Sequence, residues 1–365
     1  MPELRNYVRY SDSVEVQQAD EDRTIDSIIA AMQRESAITA ERYHHGVRAS
    51  HAKSHGLLKG ELRVLDDLPE ELRQGLFAEP RTYPVLVRMA TVPGELLKDN
   101  VSTQKGVSIK VLDVDGPKLP GHEEERTQDF LLDNGNRFPN ADAAQFLATI
   151  KALETATPAP EVLKRAVSAV ARVSNEALNL VGADSATLDF FGHPPRHPVA
   201  DAYYSQAAIR YGDYIAKIAV FPVSPDQKAL EDETVDTSGA PDAFRTQTVK
   251  YFSTKGAEFE VRVQLCTDLD AMPVEDASKA WPAEESPYQP VARITLPPQD
   301  AYSPGRQAYF DDVLSFHPSH SLAAHRPLGS LMRARLKTYG VLSANRQARN
   351  GVEQQEPKSL VEVPE

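Results

Sequence analysis

Arg335 and Tyr339 stand four residues apart in the run Arg335-Leu336-Lys337-Thr338-Tyr339. That spacing is one helical turn, so in a helix both side chains leave the same face. Further steps of three and four add Leu342 and Arg346 to the stripe. A core helix would bury aliphatics here, and a solvated one would not carry Tyr beside Leu. The stripe suits a broad, flat, anionic ligand. A phenol holds a ferric ion only as phenolate; a guanidinium one turn away, together with the ion, stabilises that charge. A second arginine farther along would take a ligand carboxylate. The same spacing also describes an ordinary surface helix with a half-buried tyrosine, so it points to chemistry only in company.

The company is a histidine segment, Gly46-Val47-Arg48-Ala49-Ser50-His51-Ala52-Lys53-Ser54-His55-Gly56. An imidazole there has the right basicity to take a proton from one peroxide oxygen and hand it to the other. Four histidines, His44, His45, His51 and His55, crowd the region. They admit a metal reading or a polar-loop reading, but no cysteine or carboxylate pattern completes a metal set.

The elements that must position these groups follow from patterning. The sequence has 365 residues, 41% hydrophobic and 25% charged, the profile of a globular protein with an adequate core. Its formal net charge of -13 argues against nucleic acid and anionic membranes as partners. The single Cys266 excludes an internal disulfide framework and reads as a buried thiol in an alternating run. No 18-residue apolar run and no basic leader occur, so we expect no membrane insertion and a cytoplasmic location.

Residues 1–24 read as a polar arm, 25–350 as one domain and 351–365 as a flexible tail. An amphipathic helix spans about 24–43, marked by Ile28, Ile29, Met32 and Ile38. Short β-branched or aliphatic segments at 60–65, 84–90, 106–112 and 129–133 read as strands, and so do 203–209, 214–221, 259–267 and 288–296. Helical patterns cover about 140–153, 161–180 and 327–348. Two blocks of four strands with helices between and after them give the α+β class, an antiparallel barrel of about eight strands with flanking helices.

Taken together these segments resemble the haem catalase superfamily, in its short branch of catalase-related peroxidases. Arg48-Ala49-Ser50-His51-Ala52-Lys53 is similar to the family's distal-histidine segment. Pro84 to Ala90 with Arg88, and Lys105-Gly106-Val107-Ser108-Ile109-Lys110-Val111, resemble two of its barrel strands. Asp129 to Asp133 followed by Arg137-Phe138-Pro139 is similar to the strand leading to its haem-stacking phenylalanine. Asp276 to Pro282, Phe316-His317-Pro318-Ser319-His320 and the helix from Leu331 to Tyr339 complete the order. The match covers about residues 42–350.

The resemblance implies a barrel enclosing a haem b site, with ferric iron bound by an axial Tyr339 tyrosinate. Arg48, Arg88, Lys105, Phe138, Arg335 and Arg346 would surround the cofactor, and His51 would be the acid–base residue. It departs from the family at three points. The distal asparagine falls on Glu124 or Glu125, with Thr127 and Gln128 adjacent if the register slips, and Thr127 is taken as the catalytic polar group. Ser50 replaces an apolar valine beside His51, and Lys105 replaces an arginine.

The extension that carries NADPH in larger relatives has no counterpart here, so NADPH is not expected. A weakened distal pocket implies a peroxidase reducing hydrogen peroxide or an organic hydroperoxide with a small organic donor, with weak or no catalase activity. The alternatives are a fatty-acid hydroperoxide isomerase acting on a lipid hydroperoxide, of the allene oxide synthase kind, and a non-catalytic haem-binding protein. A homo-oligomer, dimer or tetramer, is expected by the same resemblance.

Overall fold

In the computed structural model, residues 6–101, 103–156 and 194–365 are described. The strands form where branched and aliphatic residues alternate. They are β1 (Lys53–Val64), β2 (Thr82–Thr91), β3 (Lys105–Val111), β4 (Gln128–Asp133), β5 (Tyr203–Tyr204), β6 (Ile209–Tyr211), β7 (Tyr214–Pro222), β8 (Ala257–Leu265) and β9 (Gln289–Leu296). Their order is β5-β4-β3-β2-β1-β9-β8-β7-β6, and β5 also pairs with β7. That last pairing, Tyr203 with Val220 and Tyr204 with Ala219, closes eight antiparallel strands into a barrel and leaves β6 as a flap on β7. The α+β barrel expected from patterning is therefore the observed architecture.

Two-residue alternation sorts the side chains. Val85, Val87 and Met89 of β2, Val107, Ile109 and Val111 of β3, and Phe130 and Leu132 of β4 point into the lumen. They meet Val261, Val263, Ile294 and Tyr211 there in one buried cluster. Apolar side chains thus pack the lumen, and the cleft described below lies on the outer face of the wall. Directly paired residues form three rungs on the outside of β3 and β4: Gly106 with Asp133, Ser108 with Leu131, and Lys110 with Asp129.

Three helices cover that outer face. α1 (Glu21–Tyr43) buries Ile25, Ile28, Ala31 and Met32 against Ala143 and Ile150 of α2 (Ala143–Ala156) and against Ala334. Ala334 belongs to the helix Ser330–Asn350, called α4 here. A further helix, α3 (Ala243–Phe252), packs Phe244, Thr248, Tyr251 and Phe252 inward. Its threonines interrupt the apolar stripe, which is why patterning passes over it. The helical pattern expected at 161–180 lies outside the described residues.

Seating α4 is the task of one ion network. Arg333 meets Glu21 at 2.6 Å, Glu15 at 2.8 Å and Glu275 at 2.9 Å. Glu15 and Glu275 also accept the Gly329 and Ser330 backbone N–H groups, placing carboxylates at the positive end of the helix. Gly329 has φ +89, and a Cβ on it would come within 2.3 Å of the Val274 carbonyl oxygen, so the helix entry requires glycine.

The first and last described segments both pack against the barrel domain. Val8 donates its N–H to the Cys266 carbonyl, Arg9 bridges to Tyr214, and Glu15 joins the Arg333 network. In the tail, 351–365, Val363 is buried with Leu57, Leu86 and Phe310, and Glu356 pairs with Lys110 at 2.7 Å. A fully buried lysine must be neutralised, and the tail carboxylate shares that role. Cys266 is buried as expected, its thiol pushed up to about 11 by burial. Among the described residues, no helix is long and apolar enough to cross a membrane.

Arg333→Ala strands Glu21, which is 2% exposed, without its cation. We expect a loss of about 3 kcal/mol by chemical denaturation, as for breaking a buried ion pair from one side. A loss below ~0.5 kcal/mol, the range of ordinary surface substitutions, would contradict this role.

Candidate active site

A cleft opens between the outer barrel wall and α4. Its wall side is lined by Arg88, Ser108 and Leu131, its helix side by Tyr339, Leu342, Ser343 and Arg346, and its ends by Arg48 to His51, Met32 and Ser315-Phe316. The space is about 590 Å³ including the open mouth.

On the helix side the expected stripe holds. Arg335 Nη2 donates to the Tyr339 hydroxyl at 3.0 Å, and its guanidinium lies 5.3 Å from that ring's centre. Burial opposes the Arg335 charge, but the Tyr339 oxygen outweighs it and the guanidinium is held above its ordinary value. The His317 ring packs edge-on to Tyr339 at 5.6 Å.

On the other side His51 precedes β1. Its backbone is left-handed, φ +55, and its N–H donates to the Val92 carbonyl at 2.7 Å. A residue with a Cβ pays about 1 kcal/mol or more for that conformation. The imidazole lies on Gly106, where an added Cβ would sit 2.4 Å from His51 Cε1 and 2.6 Å from Asp133 Oδ1. Gly106 is therefore a site residue through what it lacks. Burial, then Arg88, Arg335 and Arg48, lower the His51 pKa to about 3, so the ring is neutral and able to accept a proton.

The polar group beside it is Asp133, with Oδ1 3.5 Å from His51 Nε2. Burial raises the Asp133 pKa to about 7, against the pull of Arg335. Sequence reasoning missed Asp133 as a partner of His51. Its only signal was its place at the end of β4, directly across from Gly106.

Charge is the most informative feature of the cleft. Arg88 is neutralised by Asp311 at 2.9 Å. Arg48 donates to the Leu314 carbonyl at 2.8 Å and also to the Phe310 carbonyl, while its Nε has no partner. Arg346 reaches only the Ser343 hydroxyl, at 3.4 Å, and its Nε is also unpartnered. Among the described residues neither has a carboxylate within ion-pair distance. Burial and mutual repulsion push Arg48 well below the ordinary arginine value, and burial with Arg88 brings Arg346 to about 10. A guanidinium does not release its proton in practice, so these displacements register as a cost that an anionic ligand would remove.

The remaining expected residues are placed as follows. Ser50 lines the cleft, but its hydroxyl donates to the Val92 carbonyl at 3.0 Å. Lys105 points to the lumen side of β3 and pairs with Asp201 at 2.8 Å, so it does not reach the cleft. Phe138 packs edge-on to Phe146 at 5.6 Å and is not among the cleft residues. Thr127 is six residues from Asp133 along β4, about 20 Å at the rise of a strand, and is not brought to His51. Glu125 faces His320 instead, at 3.8 Å. The four crowded histidines are dispersed: His44 caps α1, His45 pairs with Asp312, His51 lines the cleft and His55 is fully buried.

The class this architecture defines is a closed eight-stranded antiparallel barrel with helices over a cleft on its outer wall. No family model matches the sequence, and no curated protein matches it. Among solved structures the chain is similar to a fungal catalase, at 18% identity and a TM-score of 0.59, covering 85% of this chain and 62% of that one. It is also similar to catalase A from Saccharomyces cerevisiae, at 16% identity and TM-score 0.57, covering 95% of this chain and 68% of that one. A bacterial catalase matches at 17% identity and TM-score 0.55, with 88% of this chain and 63% of that one covered. The chain thus has the fold of the catalases, and spans under two thirds of the fungal and bacterial examples.

The two buried groups give opposite pH slopes. Below its ordinary 6.5 His51 takes up a proton only when unfolded, so it lowers stability as pH falls toward 3. Between the ordinary 3.8 and about 7 Asp133 keeps its proton only when folded, so it lowers stability as pH rises. In urea titrations from pH 4 to pH 7, Asp133→Asn should steepen the gain in stability with rising pH, and His51→Gln should flatten it. Curves parallel to the wild type for both variants would contradict the assigned burial.

Proposed function

We propose that this chain binds haem b in the cleft and acts on peroxides, with Tyr339 as the iron ligand and His51 as the acid–base residue. The observation that carries the reading is the Arg335-bonded phenol sharing one cleft with two unneutralised arginines, Arg346 buried and Arg48 half-buried. That donor set fits the group. Tyr339 offers one oxygen for a ferric ion, Arg335 donates a hydrogen bond to that oxygen, and Arg48 and Arg346 have free N–H donors for the two carboxylates of a haem.

Bound ferric haem would supply the electrons that cleave an O–O bond. The chain's part is proton movement and exclusion of water. His51, neutral at physiological pH, takes the proton from the near oxygen of the peroxide and returns it to the departing one. Gly106 lets the imidazole lie flat against the wall, and the His51 N–H bond to Val92 fixes where it stands. Met32, Ala49, Leu131, Phe316 and Leu342 line the cleft with apolar surface, which favours an organic hydroperoxide as well as hydrogen peroxide.

The reaction we favour is a peroxidase one, with an organic reductant and little dismutation. Dismutation orients a second peroxide by fixed polar donors. Here the polar neighbour of His51 is a carboxyl group that loses its proton near neutrality, and the Ser50 hydroxyl is turned to the backbone.

An absorption spectrum of protein expressed with ample iron should show a Soret band of ferric high-spin type, abolished or displaced in Tyr339→Phe. His51→Ala should keep the band and lose peroxidase kcat/KM by about 100-fold or more. No Soret band in the wild type would end the haem reading. Turnover of a lipid hydroperoxide without any donor would replace the peroxidase by an isomerase.

Arg346→Leu separates cofactor anchoring from stability. Removing a buried unpaired cation should raise the stability of the haem-free protein by about 1 kcal/mol. The same change should speed haem transfer to apomyoglobin about tenfold, because one carboxylate partner is gone. Slower or unchanged transfer would remove Arg346 from the cofactor site.

A further inference from the structure

We propose that His122, Glu125 and His320 form a binding site for one divalent first-row transition ion of the zinc class. The site is separate from the cleft and does not rest on the haem reading. One nitrogen from each histidine and one Glu125 oxygen all lie within 4.8 Å of one another. Two imidazoles and a carboxylate are the ligand set of open zinc and ferrous sites, with remaining positions left to water.

The loops that carry these ligands are tied to each other. Leu119 N–H donates to the Ser321 carbonyl and Asp129 N–H to the His320 carbonyl, and Lys118 bridges to Leu322. Within the first loop Gly121 takes φ +82 and Glu125 N–H donates to the His122 carbonyl at 3.0 Å, a tight turn that presents residues three apart together. The two imidazoles are 5.5 Å apart, centre to centre, and inclined at 63°. Bringing three donors to about 2.0–2.2 Å from one ion therefore needs only side-chain adjustment of the half-buried His122 and Glu125.

Behind the ligands stands a supporting layer of the kind metal-binding histidines need. His320 Nδ1 lies 3.2 Å from Asp129 Oδ2, which leaves Nε2 directed toward Glu125. Asp129 is fixed in turn by Lys110 at 2.8 Å and by the His317 N–H at 2.8 Å. Lys110 also meets Glu356 of the tail at 2.7 Å, so its positive charge is matched by two carboxylates before Glu125 is counted. With Lys118 counted as a second cation near Glu125 and Asp129, the three carboxylates Glu125, Asp129 and Glu356 still outnumber the two lysines, a balance suited to a dication. Nothing in the proposed peroxide chemistry uses these residues.

The test uses the untagged full chain after dialysis against chelator. Calorimetric titration with Zn2+, and with Co2+ read by its visible absorption, should give one ion per chain, and Zn2+ should raise the thermal midpoint. His122→Gln and Glu125→Gln lie on the half-buried loop and should each weaken Zn2+ binding at least tenfold and abolish the thermal shift while the chain stays folded. His45→Gln, an imidazole outside the cluster, should leave binding unchanged. Absence of saturable binding in the wild type, or binding that survives both loop substitutions, overturns the proposal.

Discussion

A barrel packed with its own side chains has no interior to offer. Val87, Ile109, Phe130, Val263 and Ile294 occupy the lumen, and close packing leaves no room there for a ligand. The cleft lies on the outer wall, where the strand pleat turns every second residue outward. The cleft exists because α4 stands off that wall, and α4 stands where it does because Arg333 holds its first turn to Glu15, Glu21 and Glu275. Two segments far from it in the chain, 15–21 and the stretch at Glu275, are needed to place one helix.

The same wall distributes distinct environments over neighbouring rungs. Gly106 and Asp133 receive the His51 ring, Ser108 and Leu131 floor the cleft, and Lys110 and Asp129 support His320. Each rung is two residues from the next, so a small stretch of β3 and β4 meets the His51 ring, the floor of the cleft and a buried ion cluster. Charge separates them. The cleft carries arginines short of anions, whereas the His320 cluster carries more carboxylates than its lysine requires. Buried charge of either sign is costly unless matched, and the direction of the mismatch says what each place would bind.

Among the described residues His51 is one of five non-glycine positions with positive φ. A left-handed backbone at a non-glycine residue is retained only where surrounding contacts fix it. Here the Val92 hydrogen bond and the close approach to Gly106 do so. That arrangement brings the ring against the wall beside Asp133, and the proposed acid–base role depends on it.

Local periodicity was legible from the residues alone. The one-turn spacing of Arg335 and Tyr339 placed them together on a helix, and they are hydrogen-bonded at 3.0 Å. The alternating segments located the barrel strands, with the 203–209 segment divided into β5 and β6 and β1 beginning earlier through polar residues that become buried. What periodicity could not supply was pairing across distance. Whether Lys105 turned to the cleft or to Asp201, whether Thr127 or Asp133 met His51, and whether Glu125 faced His51 or His320 were settled by strand register and loop closure. A strand's register by one residue reverses every side chain it carries, and that register is set by contacts with other strands rather than by the strand's own residues. Helical neighbours are therefore written in sequence spacing, while neighbours across a barrel wall come into being only when the barrel closes.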